Sequence, residues 1–229
     1  MDAKFLGCTN LKEVVVDPEN EYYASENGSI LNKDKTKVIY YISAAEDGTY
    51  TVPDSVTFIA EDAFSTEDRT MPTRIVLSDG VKEFGYGMPN TVTSISFGKE
   101  YKSGYKWLSD YDKIVKEITI SEENRNLKTK DGVLYTKDGS KLLYCPQKKE
   151  GTVTIDSETG TIGEYAFQYA KNITTINLPE TITTIEKYAF SGANAKMVFC
   201  VPKGKKAFYK KLLTSKTGFK STMTIKEAE

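Results

Sequence analysis

Val153-Thr-Ile155 and Ile176-Asn-Leu178 begin 23 residues apart, and Phe199-Cys-Val201 begins 23 residues further on. The same step of 23 separates Ile162 from Ile185 and Phe167 from Phe190. Apolar residues that return to fixed slots at a period of about 20–25 residues mark a solenoid. A unit of that size cannot bury its own apolar face, so it must stack on its neighbours and share one continuous core with them.

The period extends toward the N-terminus with interruptions. Phe5 is followed at six, nine and eleven residues by Leu11, Val14 and Val16, the spacings that lead from Phe167 to Ile173, Ile176 and Leu178. The chain therefore opens on the second half of a repeat, as a fragment of a longer chain would. From Val14 to the corresponding Tyr50 takes 36 residues, about a dozen too many. The extra segment, near 28–42, holds Ser29-Ile-Leu31 and Val38-Ile-Tyr40 around a polar loop, and reads as a β-hairpin insertion. The period resumes at Tyr50-Thr-Val52-Pro53, with Val56, Ile59 and Ala63-Phe64 in their slots. Ile75-Val-Leu77 follows, with Val81 and Phe84 where Ile182 and Ile185 stand later, and Met88-Pro89 replaces Ala-Phe. Between Ile95 and Ile118 the Ala-Phe pair is missing, and Trp107 with Leu108 is expected to fill that rung.

A longer repeat overlies the short one. Lys12 to Val16 matches Lys116 to Ile120 at an offset of 104, and Asn20, Gly28 and Val38-Ile-Tyr40 match Asn124, Gly132 and Leu142-Leu-Tyr144. A second hairpin insertion is thus expected near 132–146. Asn27-Gly28 and Asp131-Gly132 suit a turn that needs positive φ. The alternation in Val14-x-Val16, Ile75-x-Leu77 and their equivalents means short strands with one buried face, about 4.8 Å apart when stacked in parallel. Ile-x-x-x-Ala-Phe has room for one helical turn at most, and Pro after a strand turns the chain away from the ladder. From Lys203 to Leu213, Phe208, Tyr209, Leu212 and Leu213 fall on one helical face. An open solenoid end exposes an apolar rung, so residues 1–202 are read as the array and 203–229 as its C-terminal cap.

The chain has no histidine, which removes Ser-His-Asp and Cys-His catalysis and zinc sites built on imidazole. Its three cysteines, Cys8, Cys145 and Cys200, are far apart, so neither a disulfide framework nor a CxxC metal site is expected. Lys plus Arg is 31 and Asp plus Glu is 32, a balance that gives no reason to expect nucleic acid or an anionic membrane as partner. No run of 18 apolar residues and no signal peptide occurs, so no membrane insertion is expected.

"TIGEYAFQYAKNITTINLPETITTIEKYAFSG", "FLGCTNLKEVVV" and "DGVLYTKDGSKLLYCP" resemble the BspA-like leucine-rich repeat family of bacterial surface proteins, over roughly residues 3–205. The resemblance implies an α/β leucine-rich repeat solenoid, right-handed, with a parallel β-sheet on one side and short turns or helical turns on the other. It also implies export and a role in adhesion or binding outside the cell, with no catalytic residues and no cofactor.

Weak motifs have plainer explanations. Gly85-Tyr-Gly87 lacks the third glycine and following helix of a dinucleotide fingerprint, and Lys203-Gly-Lys-Lys206 lacks the leading Gly and trailing Ser/Thr of a phosphate loop. Asn27-Gly-Ser29 and Asn172-Ile-Thr174 fit the glycosylation triplet but carry little weight in a sequence of bacterial type. Asp34, Asp131, Asp138 and the run from Asp17 to Glu21 match no calcium loop and read as turn residues. Cys8 and Cys200 occupy repeat slots with no base beside them. The fifteen tyrosines read as packing and hairpin residues before they read as a glycan platform.

One surface remains. Val15, Val76, Ser96, Thr119, Asn177 and Cys200 lie between buried strand positions and point outward, flanked by Glu13, Arg74, Ser94, Glu117 and Thr175. Such a broad neutral ribbon suits a macromolecule better than a pocket ligand. Val15, Arg74, Val76, Ser96, Thr119 and Asn177 are the candidate binding face, and its expected partner is a protein or glycan outside the cell. The alternatives are a structural spacer within a larger surface protein, or a carbohydrate-binding module using tyrosines of the hairpins around Tyr40 and Tyr144.

Overall fold

The computed structural model describes residues 8, 11–43, 46–64, 71–84, 88–102 and 115–228. The expectations for Phe5, for the loop 85–87 and for Trp107 with Leu108 lie outside the described residues. The chain divides into two compact units, Met1–Trp107 with Thr119–Arg125, and Leu108–Ile118 with Asn126–Glu229. Each is a parallel β-solenoid, and the division falls close to where the 104-residue pattern starts again.

The first unit opens with an antiparallel meander of β1 (Tyr23–Glu26), β2 (Ser29–Asn32) and β3 (Lys37–Tyr41). The expected hairpin is therefore its second half, and β1 is an added strand. Asn27 and Gly28, at φ 46° and 67°, make the two-residue turn between β1 and β2. Both central residues need φ > 0 there, which Asn-Gly supplies most cheaply. A β-carbon on Gly28 would also collide with the Ser43 carbonyl oxygen. Beyond the meander, β4 (Thr49–Thr51), β6 (Arg74–Val76) and β8 (Ser94–Phe97) form a parallel ladder in which Tyr50, Ile75 and Ile95 share one buried row. Thr119 and Ile120 of β9 (Glu117–Ile120) also belong to this unit.

A second ladder accompanies the first. The two-residue strands β5 (Phe58–Ile59) and β7 (Glu83–Phe84) continue the parallel order from β3, with Val38, Ile59 and Phe84 in register. The expected single sheet is thus joined by a narrow ladder built from the slot that precedes Ala-Phe. Between the ladders Tyr41, Tyr50, Phe64 and Phe84 pack with ring centroids 5.1–5.8 Å apart. The Tyr50 hydroxyl, buried with them, is satisfied by the Ser29 hydroxyl.

The second unit repeats this plan with more regularity. A meander of β10 (Leu127–Lys130), β11 (Val133–Thr136) and β12 (Lys141–Tyr144) passes into the narrow ladder of β14 (Thr161–Ile162) and β16 (Thr184–Ile185). Asp131 and Gly132 take φ of 50° and 71°, and the register shift at Leu134 falls 104 residues after that at Ile30. The broad ladder runs β13 (Gly151–Thr154), β15 (Ile173–Asn177), β17 (Val198–Val201) and β18 (Thr224–Glu227). Val153, Ile176, Phe199 and Ile225 form its buried row.

In the regular rungs Ala-Phe makes the closing contact. Phe167 and Phe190 are fully buried, with ring centroids 5.4 Å apart and near-parallel planes. Ala166 and Ala189 leave room for the neighbouring backbone to reach their carbonyls. Cys145 N–H donates to the Ala166 oxygen at 2.8 Å, and Phe167 N–H to the Ala189 oxygen at 2.7 Å. Phe190 N–H, with no further Ala to meet, donates to the Thr217 oxygen at 2.9 Å. Thr217 ends a 3₁₀ turn, Ser215–Thr217, which follows α1 (Lys206–Leu212). Gly218, at φ 88°, must be glycine, since a β-carbon would stand 2.6 Å from the Phe190 carbonyl carbon. Tyr209, Leu213, Met223 and Ile225 join the core of the rungs. Phe208 departs from the expected apolar face and is 41% exposed. We propose on these contacts that residues 203–228 close the array.

Two outcomes follow. Phe167→Ala and Phe190→Ala, truncations of fully buried rings, each cost about 3–5 kcal/mol, read from denaturant midpoints. Removing residues 203–229 strips the partners of Phe190 N–H and of β17, so the shortened protein self-associates in sedimentation while the full chain does not.

Candidate functional site

The outward residues of the broad ladders stand in rows, because parallel strands at matched register align equivalent positions rung after rung. In the first unit Thr51, Val76 and Ser96 form one row, and Thr49, Arg74 and Ser94 form the row beside it. The Thr119 hydroxyl donates to the Ser96 hydroxyl oxygen at 2.8 Å and so continues the first row. Arg74 and Thr119 are exposed, while Val76 and Ser96 are half-buried. In the second unit Thr154, Asn177, Cys200 and Lys226 form one row, with Thr175, Val198 and Thr224 beside it. The Asn177 amide donates to the Thr154 hydroxyl oxygen at 2.9 Å.

Five of the six candidate face residues therefore lie on outward rows of their own unit. Val15 does not. It is 76% exposed, and Val14 to Val16 form no strand. Val16 N–H instead donates to the Ser25 hydroxyl oxygen at 3.0 Å, a side-chain bond that takes the place of a ladder bond. The face in the first unit is thus Arg74, Val76, Ser96 and Thr119, joined by Thr49, Thr51 and Ser94. Thr51 and Thr154 were passed over in the sequence, although the x of Tyr50-x-Val52 and Val153-x-Ile155 places them as it places Val76 and Asn177.

Hydroxyls also fasten rung to rung beside the face. Thr93 donates to the Thr73 oxygen at 3.1 Å and Thr174 to the Gly151 oxygen at 3.2 Å, each reaching the rung before. On the narrow ladder Ser55 donates to the Lys35 oxygen at 2.8 Å and Thr181 to the Thr159 oxygen at 2.8 Å. The Thr and Ser content of the repeats is therefore partly structural. The rows themselves offer donors, acceptors and small apolar groups with few charges.

Tyrosines near the hairpins cannot form a glycan platform as a group. Tyr41, Tyr135 and Tyr144 are buried, Tyr40 is half-buried, and Tyr22, just before β1, is 71% exposed. Further along the chain Tyr188 and Tyr169 are exposed, and the Tyr165 and Tyr188 rings stack at 5.4 Å. All three hold φ between 56° and 60°, a left-handed conformation no sequence pattern announced. Beside the stack, Glu164 pairs with Lys187 at 3.3 Å and Glu186 with Lys141 at 2.6 Å.

Asp138 shows what the acidic turn residues do. Hydrogen bonds from the Thr136 hydroxyl and from the Ser140 N–H and hydroxyl hold its carboxyl below the usual range, as in a tight turn. Among the described residues no group of three or more Cys, Asp or Glu is placed to hold a metal ion. Among them also, no helix is long and apolar enough to cross a membrane. Cys145 is fully buried, and burial pushes its thiol up to about 12, so it is a packing residue.

Residues 144–228 match a family described as a BspA type leucine rich repeat region, in six copies. No curated protein matches the chain. Among solved structures, a leucine-rich repeat protein from Eubacterium ventriosum is similar at 19% identity and a TM-score of 0.45, over 80% of this chain and 65% of its own. The pneumococcal vaccine antigen PcpA is similar at 16% identity and 0.45, over 75% and 56%. A leucine rich cell surface protein from Faecalibacterium prausnitzii is similar at 13% identity and 0.31, over 93% and 96%. The chain thus spans less than two thirds of the first two.

Thiol chemistry tests the register of the face. Cys200 sits on an outward row and Cys145 inside, so iodoacetamide at about pH 8 labels Cys8 and Cys200 in the folded protein and spares Cys145 until denaturant is added. Labelling of Cys145 as fast as Cys200, read by peptide mass, would reverse the assignment of inner and outer residues.

Proposed function

From the match of residues 144–228 to a BspA type leucine-rich repeat region, we propose that the chain is a non-catalytic interaction module. It works outside a bacterial cell and binds a protein through its broad sheet faces. The observation that carries this reading is the alignment of small, mostly neutral side chains in outward rows on successive strands. A row of this kind gives a wide contact area with few charges to desolvate. Affinity then comes from a few anchors within it. Val76 with Arg74 is the best-placed pair in the first unit, a small apolar side chain beside an exposed guanidinium. In the second unit Asn177 is the corresponding polar anchor.

Export fits the same reading, because the resemblance is to surface proteins and a repeat face is useful where large partners can approach it. No residue of the face is assigned a chemical step. The chain lacks histidine, and its one fully buried thiol is protonated at any physiological pH.

The test begins with the purified chain screened against secreted and extracellular-matrix proteins. Val76→Glu combined with Thr119→Lys then puts two charges on the face of the first unit, and Asn177→Lys puts one on that of the second. Circular dichroism and denaturant midpoints stay close to wild type, while the Kd for the protein found in the screen rises at least about tenfold, a loss of roughly 1.4 kcal/mol. A folded variant of both faces that binds as tightly as wild type removes the sheet faces as the site.

A further inference from the structure

The near-zero net charge hides a segregation. From Lys187 to Lys226 there are ten lysines and no acidic residue, whereas residues 1–186 hold 21 basic and 30 acidic side chains. We propose that the surface of this C-terminal segment docks a linear anionic polysaccharide.

Its lysines are free to do so. Lys203, Lys205, Lys206, Lys210, Lys211 and Lys216 are all exposed. Among the described residues, only Lys187 of the ten makes an ion pair, with Glu164 at 3.3 Å. The packing of α1 fixes where the charge points. Tyr209 and Leu213 are buried in the core of the rungs, so the lysines on either side of them are held on the solvent side.

The dipole of α1 accounts for Lys210 and Lys211, which stand in its last turn, but local physics opposes the rest of the arrangement. Lys206 and Lys210 are four apart on one helix face, a like-charge pair that weakens the helix. Lys205 and Lys206 stand at its N-terminal end, where the helix dipole favours anions, and its first turn holds no acidic residue. A sequence selected only to close a solenoid would put Glu in at least one of these places. The Glu227 carboxylate, which accepts from the Lys206 N–H at 3.3 Å, offsets this only in part, and a local rule broken in this way points to function.

The composition selects the partner. All ten cations are lysines, point charges that respond to charge density, where arginine would bring the planar fork suited to phosphate groups and base edges. The apolar side of α1 is committed to the core, so the helix has no face to lay into a bilayer. The one large apolar side chain it exposes is Phe208, 41% accessible and set edge-on to Tyr209 at 5.4 Å. An aromatic ring among lysines suits a chain of sugar rings bearing sulfate, phosphate or carboxylate groups.

Dextran sulfate is the probe, with neutral dextran of equal length, vesicles of phosphatidylglycerol and double-stranded DNA compared at the same ionic strength. The full chain binds dextran sulfate in preference to the other three, and its affinity falls by on the order of tenfold or more between about 50 and 200 mM salt. K205E/K206E/K210Q/K211Q loses this binding while keeping a denaturant midpoint close to wild type, since the acidic residues fall at the helix start and the last turn is only neutralised. K33E/K35E, on the first hairpin, binds as wild type does. The proposal falls if dextran sulfate is not bound at low salt, if the quadruple variant still binds it, or if vesicles or DNA are bound more tightly. The sheet-face variants keep this binding, so the two assignments fail separately.

Discussion

Stacking of rungs through the Ala carbonyl is the interaction on which the rest depends. A 23-residue unit has no interior of its own, so its backbone groups must be satisfied by the unit before or after it. The sequence arranges this at one slot. Ala is small enough for the adjacent backbone to reach its oxygen, and the Phe that follows fills the volume between rungs. The bonds Tyr41 to Ala63, Cys145 to Ala166 and Phe167 to Ala189 repeat this contact in the two units, at 2.7–2.8 Å. Thr217 supplies the same oxygen to Phe190 from a segment with no repeat in its sequence. The end of the array is therefore built by reproducing a carbonyl position and a strand, β18, and the side-chain slots of a rung are not needed.

Much of this was legible in the sequence because period and burial are coupled so tightly. Ile75, Ile95, Val153, Ile176 and Phe199 were placed inside by alternation alone, and all are buried. The turns at Asn27-Gly28 and Asp131-Gly132 were legible because their backbone demands particular residues. The narrow ladder was not, since two-residue strands such as Thr161–Ile162 have no alternation to read. Neither was the loss of strand at Val14 to Val16, where a hydroxyl nine residues away, on Ser25, captures the amide. The left-handed tyrosines were hidden for another reason. Holding Tyr165 and Tyr188 at φ 60° costs about 1–2 kcal/mol each, and glycine or asparagine is the usual sign of such a position. Here the stacked rings and the bond from Tyr188 N–H to the Lys216 oxygen offset the strain.

The candidate face was legible to the same degree and for the same reason. Once the inward residues of a strand are known, the outward ones are fixed, so Arg74, Val76, Ser96, Thr119 and Asn177 follow from Ile75, Ile95, Ile118 and Ile176. What alternation cannot supply is the side-chain bonding within a row. Thr119 to Ser96 and Asn177 to Thr154 use up part of the hydrogen-bonding capacity that outward placement alone would offer a partner. Among the described residues, Arg74, Thr51, Thr175 and the apolar surface of Val76 present themselves to a partner without a side-chain bond across the row.

Total charge was the least informative quantity, because it averages over surfaces that different partners would touch. Electrostatic attraction falls off within a Debye length of about 8–10 Å at ordinary ionic strength. A partner lying against α1 therefore responds to the lysines near it and hardly at all to acidic residues several rungs away. Solenoids make such segregation easy. A rung contacts only its neighbours, so charge can accumulate at one end without being offset in a common interior, and its self-repulsion acts only on the elements nearby. Here those elements are α1 and the 3₁₀ turn, and they are held from beneath by Tyr209, Leu213 and Thr217. The apolar anchoring of that segment is what allows its outer surface to carry a charge that an isolated helix of seven residues could not sustain.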